Sequence, residues 1–269
     1  MTRRVLILGN SHLACLREAW AAEPSRWPRL EATFLGAHKD LLLRTAVEGG
    51  RLRPATDAAR AAFLRVNGTE EADLGACDAI IIVGCMIATA TAALARRDMR
   101  WPGLPSLDAL GDLAAMEATL VSRPAARAAV AAALGARLGA ALARHLGPHV
   151  AAPIWLACQP RISAAAHERP LPTTRGTLAA IAEGDGEALS WLHEDAARDA
   201  AQASGAGYIP QPEATVQDHL LTARPYMDGA HRLGPRPGLP QPRDDLMHAN
   251  ARYGALMLDA IAAEVAQAA

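Results

Sequence analysis

The stretch Arg4-Val5-Leu6-Ile7-Leu8-Gly9-Asn10-Ser11-His12 decides how the chain is read. Val5 to Leu8 is apolar at every position, so a strand there is buried on both faces, as in a parallel sheet covered on both sides. Gly9, Asn10 and Ser11 are turn and helix-start residues. A helix is expected to follow at once, through Leu13, Leu16 and Trp20. A second segment, Asp78-Ala79-Ile80-Ile81-Ile82-Val83-Gly84, has four β-branched residues in a row and reads as the central strand.

Working outward, Glu31 to Leu35 reads as a strand ending at Gly36, and a short piece at Gly50 to Arg53 is stopped by Pro54. Residues 55–65 read as helix, 86–100 as helix and loop, and Trp101 to Asp108 as irregular because of Pro102 and Pro105. Ser122 is expected to cap one long Ala-rich helix reaching His145, with Pro124 in its first turn and Gly147-Pro148 after its end. His149 to Ala157 reads as the fourth strand, with Pro153 at its entry or in a bulge. Gln159 to Glu183 reads as loop, Asp185 to Ala203 as helix, and Tyr208-Ile209 as a short fifth strand. Residues 213–243 are rich in Pro and Gly and lack periodicity, and the last helix is expected from Leu246 to Val265.

This alternation predicts a single three-layer α/β domain over residues 1–269. Right-handed crossovers place the loops after Gly9, Gly36, Gly84 and Ala157 on one edge, where such folds bind ligands. Residues 213–243 would return the last helix to that edge.

Composition narrows the function. Lys and Arg number 27 against 28 for Asp and Glu, a net charge of -1, so a broad basic surface for nucleic acid is not expected. Aromatics are only 4%, too few for base-stacking platforms. Cys15, Cys77, Cys85 and Cys158 lack Cys-x-x-Cys spacing and sit in or beside apolar runs, which reads as free thiols. No His-Glu-x-x-His or Cys-rich cluster suggests a metal. Neither a three-glycine dinucleotide loop nor a P-loop follows any strand, so no cofactor is expected. No segment approaches the roughly 20 apolar residues that span a bilayer. The N terminus enters a strand directly, which predicts no secretory signal, no membrane attachment and a cytoplasmic location.

Two places carry residues fit for chemistry. Ser11 stands at the start of the first helix, where unpaired N–H groups and the helix dipole favour growing negative charge; a plain helix cap is the alternative reading. Near the other end, Arg243-Asp244-Asp245-Leu246-Met247-His248 puts a carboxylate three positions before an imidazole. Asp245 would orient His248, and the other ring nitrogen would take a proton from Ser11. The alternative makes an aspartate the helix cap and His248 a surface residue.

The run Val5-Leu6-Ile7-Leu8-Gly9-Asn10-Ser11-His12, with Asp245-Leu246-Met247-His248, resembles the SGNH or GDSL hydrolases along almost the whole chain. The resemblance implies a flavodoxin-like parallel sheet in the order 2-1-3-4-5 and action on esters, including acetylated sugars. It implies Ser11 as nucleophile, Asp245 as orienting acid and His248 as base. The backbone N–H groups of Ser11 and Gly36 would then form the oxyanion hole. The chain departs from the family pattern twice. Asn10 replaces the usual Asp, and Gly84-Cys85-Met86 places a methionine where the family has an asparagine that donates to the oxyanion.

Asn10, His12, His38, Gly84, Met86, Gln159, Arg161 and Asn250 are the further candidates for lining the cleft or touching substrate. For Arg161, gripping an anion or a sugar hydroxyl stands against a solvated loop charge. Cys85 as a thiol nucleophile lacks a histidine at a telling spacing. The expectation is a serine esterase on a small-molecule or glycan ester, with a short acyl group such as acetyl. An O-acyltransferase using the same serine, or a weak or inactive carbohydrate- or ligand-binding protein, are the alternatives.

Overall fold

The computed structural model describes residues 2–38, 40–110, 117–234 and 238–267. Five parallel strands form the central sheet: β1 (Arg3–Gly9), β2 (Leu30–Gly36), β3 (Ala79–Val83), β4 (Ile154–Ala157) and β5 (Gly207–Ile209). Their order is β2-β1-β3-β4-β5, the three-layer α/β/α architecture with the 2-1-3-4-5 sheet that was expected. Gly9 at the end of β1 pairs with Gly36 on β2 and with Val83 on β3, so these three strands end level.

Successive side chains of a strand face opposite layers. Val5, Ile7, Ile81 and Val83 pack with α1 (Leu13–Ala22) and the C-terminal helix, through Leu16, Tyr253, Met257 and Ile261. Leu6, Leu8, Ile80 and Ile82 join the opposite core, which α2 (Asp57–Asn67) enters through Phe63 and α3 (Ala90–Asp98) through Ala92. Val130 of α4 (Arg123–Gly135), Leu142 of α5 (Leu138–Leu146), Ala180 of α6 (Arg175–Ala182) and Leu189 of α7 (Gly186–Gln202) complete that layer.

Four expectations need correction. The long helix from Ser122 is two helices, bent by 65° at the break. Ala136 and Arg137 interrupt it, directly after Gly135, glycine being a poor helix former. The Ser122 cap itself forms, its hydroxyl accepting from the Ala125 N–H at 3.3 Å. The fourth strand begins only at Ile154, after Pro153, whose ring removes a ladder donor. Residues 159–183 contain a helix, α6, whose apolar face is mostly small residues and so gave little periodic signal. The last helix, α8, spans Ala251–Gln267. Asn250 caps it, its Oδ1 accepting from the N–H groups of Arg252 at 2.9 Å and Tyr253 at 3.4 Å.

Among the described residues no single helix is long and apolar enough to cross a membrane.

Candidate active site

The site sits where β1 gives way to α1. The Leu13 N–H closes the turn on the Asn10 carbonyl at 3.0 Å, and the Ala14 N–H reaches the Ser11 carbonyl at 3.3 Å. Ser11 is thereby fixed at the carboxyl edge of the sheet. From the other end of the chain, the turn just before α8 brings His248 over it.

The Ser11 hydroxyl lies 2.8 Å from His248 Nε2. His248 Nδ1 lies 3.0 Å from Asp245 Oδ1, and the His248 backbone N–H donates to Asp245 Oδ2 at 3.0 Å. An ionised carboxylate only accepts, so His248 Nδ1 donates to Asp245, and in the tautomer this fixes Nε2 is the nitrogen left to accept from Ser11. Asp245 is therefore bound to its imidazole and caps no helix. Burial pushes the Asp245 carboxyl up, but the His248 ring bond, its charge and the backbone N–H groups of His248 and Met247 outweigh this and leave it below the ordinary value. The carboxylate stays ionised where the ring needs it. A serine, an imidazole and a carboxylate in this chain can pass the hydroxyl proton to the ring as the oxygen attacks an electrophile.

His12 lies against this group. Its ring stacks on that of His248 with centroids 4.9 Å apart and planes 23° from parallel. It is buried, and desolvation, helped by the nearby His248 and opposed by Asp245, pushes its pKa down to about 3. The ring is neutral at ordinary pH. Its backbone N–H donates to Asn10 Oδ1 at 3.2 Å, so the Asn10 side chain bridges the turn.

Gly84 forms the wall beside them. Its φ is +72°, and a Cβ there would lie 2.8 Å from Asn10 Oδ1 and 3.0 Å from two carbons of the His12 side chain. Cys85 and Met86 continue in the left-handed region at φ 49° and 70°, a costly conformation for residues with a Cβ. Met86 is exposed, while Cys85 is buried. Burial pushes the Cys85 thiol up to about 12, against a small opposing pull from the Asn10 backbone N–H, so this strand end carries no ready thiolate.

The oxyanion donor expected at Gly36 requires correction. The Gly36 N–H already donates to Asn67 Oδ1 at 2.8 Å, and Asn67 Nδ2 returns a bond to the Gly36 carbonyl at 3.0 Å. The next N–H, of Ala37, donates to the Gly9 carbonyl at 3.0 Å. The end of β2 is thus closed by its own polar partners. Asn67 was not singled out because an Asn-Gly pair ending a helix is an ordinary stop signal. The N–H groups of Ser11, Cys85 and Met86 have no hydrogen-bond partner among the described residues.

Two of the further candidates, Arg161 and Asn250, are occupied elsewhere, and a third, Gln159, is buried. Arg161 is neither solvated nor free: it is buried, paired with Glu194 at 3.2 Å and bonded to the His219 carbonyl. Gln159 is buried too: its backbone N–H donates to the Ile87 carbonyl at 2.9 Å, while its side-chain Oε1 has no hydrogen-bond partner among the described residues. Asn250 caps α8, and its Nδ2 donates to the carbonyls of Pro225 and Asp228 at 2.9 and 2.8 Å. Arg161 and Asn250 are spent on the fold because each meets carbonyls or a carboxylate that need a partner. His38 is half-buried two residues past Gly36 and makes no hydrogen bond to Ser11 or His248.

Among the described residues no group of three or more His, Cys, Asp or Glu could hold a metal ion, and the four cysteines are unpaired. Comparison of the chain with protein-family models, with curated proteins and with solved structures finds no match.

Proposed function

We propose that this chain is a divergent SGNH-type serine hydrolase that cleaves a carboxylic ester through an acyl-serine intermediate. The observation that supports this most is the unbroken path from Ser11 through His248 to Asp245: a 2.8 Å contact between residues 237 positions apart, continued by a 3.0 Å bond. A helix cap needs no imidazole, and a surface histidine needs no half-buried serine against its ring. The three together perform one task, the activation of a hydroxyl.

In this reading Ser11 Oγ attacks the ester carbonyl as its proton passes to His248 Nε2. The imidazolium is held by Asp245. The Ser11 N–H faces the developing oxyanion. Collapse of the tetrahedral intermediate breaks the bond to the leaving alkoxide, which takes the proton from His248. Water then enters, gives its proton to the same nitrogen and releases the acid, restoring Ser11. A short acyl group such as acetyl, on a small-molecule or glycan alcohol, is the substrate class proposed.

The second reading, a binding protein that keeps the cleft without turnover, is favoured by the spent Gly36 N–H and by Met86, which has no donor. Hydrolysis of short-chain aryl esters separates the two. The hydrolase reading expects slow turnover that Ser11→Ala abolishes. Equal hydrolysis by the purified Ser11→Ala protein would reject it.

A further inference from the structure

Acyl transfer through a tetrahedral intermediate is fast only where hydrogen-bond donors meet the negative oxygen. With Gly36 committed to Asn67 and a thioether at Met86, the Ser11 N–H stands without a side-chain donor beside it. The His12 ring is the side chain that lies against both His248 and Gly84. It stacks on His248, whose Nε2 holds Ser11 Oγ at 2.8 Å. Its Cβ and its Cδ2, the carbon bonded to Nε2, are the atoms that would meet a Cβ at Gly84, so this side of the ring lies against Gly84.

The two ring nitrogens differ. Nδ1 is sealed from solvent with no hydrogen-bond partner, whereas Nε2 is not sealed and has no partner among the described residues. A buried N–H without an acceptor is among the rarest defects in proteins, and a buried lone pair is tolerated better. The proton of the neutral ring therefore belongs on Nε2, on the open edge.

We propose that His12 donates its Nε2–H to the substrate oxyanion, as the side-chain member of the oxyanion hole. This rests on the serine hydrolase reading. The depressed pKa supports it from a separate direction: a ring that stays neutral at working pH keeps one fixed donor and does not repel the imidazolium formed at His248.

The test compares His12→Leu, His12→Gln and Met86→Asn with the wild type, using aryl ester turnover and the rate of phosphonate labelling at Ser11. His12→Leu fills the space without a donor, and kcat should fall by about 10²- to 10³-fold with KM little changed. His12→Gln loses the stacked ring but keeps an N–H at similar reach, so it should retain most of the rate. Adding Met86→Asn to His12→Leu should recover part of the loss by offering a donor from the neighbouring turn. The acid limb of the pH profile should not move in any His12 variant. Folded His12→Leu with wild-type kcat, or His12→Gln as impaired as His12→Leu, would overturn the proposal. If those results came while Ser11→Ala remained inactive, the hydrolase reading would survive. Undiminished turnover in Ser11→Ala would remove both, and so would a wild-type protein that neither turns over esters nor is labelled.

Discussion

Asp245 meets His248 with both carboxylate oxygens, Oδ1 on the ring Nδ1 and Oδ2 on the backbone N–H, each at 3.0 Å. One side chain thus fixes the tautomer of the imidazole and the turn that carries it. Asp245→Ala should lower kcat on the order of 10²- to 10⁴-fold, less than the loss from Ser11→Ala, because the ring keeps some basicity without its orienter. Asp245→Asn should restore the backbone bond but leave the ring tautomer wrong. Its melting temperature should recover more than its kcat. Equal recovery of both, or neither, contradicts the two separate roles.

The crossing of α1 and α8 links stability to the same geometry. A Cβ at Gly254 would lie 2.0 Å from the Cys15 carbonyl oxygen, backbone against backbone. Gly254→Ala must push the helices apart, at a cost of about 1–3 kcal/mol or more. Ser11 leads into α1 and His248 precedes α8, so the same shift stretches their 2.8 Å contact. Thermal melting should show the lost stability, and kcat of the still-folded protein should fall as well. An unchanged melting temperature would mean that the helices do not pack this closely.

Acid should unfold the protein through two buried histidines. Desolvation pushes His12 and His193 from the ordinary 6.5 down to about 3, His193 with added repulsion from Arg161. Between those values the unfolded chain binds the protons and the folded one does not. The stability from these groups is therefore present above pH 6.5 and is lost as the pH falls toward 3, at up to about 1.4 kcal/mol per unit for each ring. Both ring nitrogens of His193 lack partners among the described residues, so His193→Leu should reduce the acid slope by about one proton without loss at neutral pH. Denaturant titrations at several pH values give the slope. A variant slope equal to the wild type would show that His193 takes up no proton on unfolding.

Much of this was legible because it rests on local pattern. Val5 to Leu8 and Ile80 to Val83 announce two-face-buried strands by their apolar runs, and the Ser11 and Asp245–His248 segments stand out by residue type and spacing. What was not legible depends on partners distant in sequence. Gly36 looks like any strand-end glycine until Asn67, 31 positions on, takes its N–H. Arg161 reads as a loop charge until α7 supplies Glu194 and the chain at His219 turns a carbonyl toward it. α6 is hidden by small side chains, and the break near Gly135 by an alanine run with no clear period.

The most direct test of the central claim is covalent labelling with an alkyl phosphonate that reacts with activated serines. Intact mass and peptide mapping of the wild-type protein should show one adduct, at Ser11. Labelling should disappear in Ser11→Ala and fall to near background in His248→Ala, whose Ser11 has lost the base 2.8 Å away. Labelling at another residue, no labelling, or full labelling of Ser11 without His248 would contradict the account.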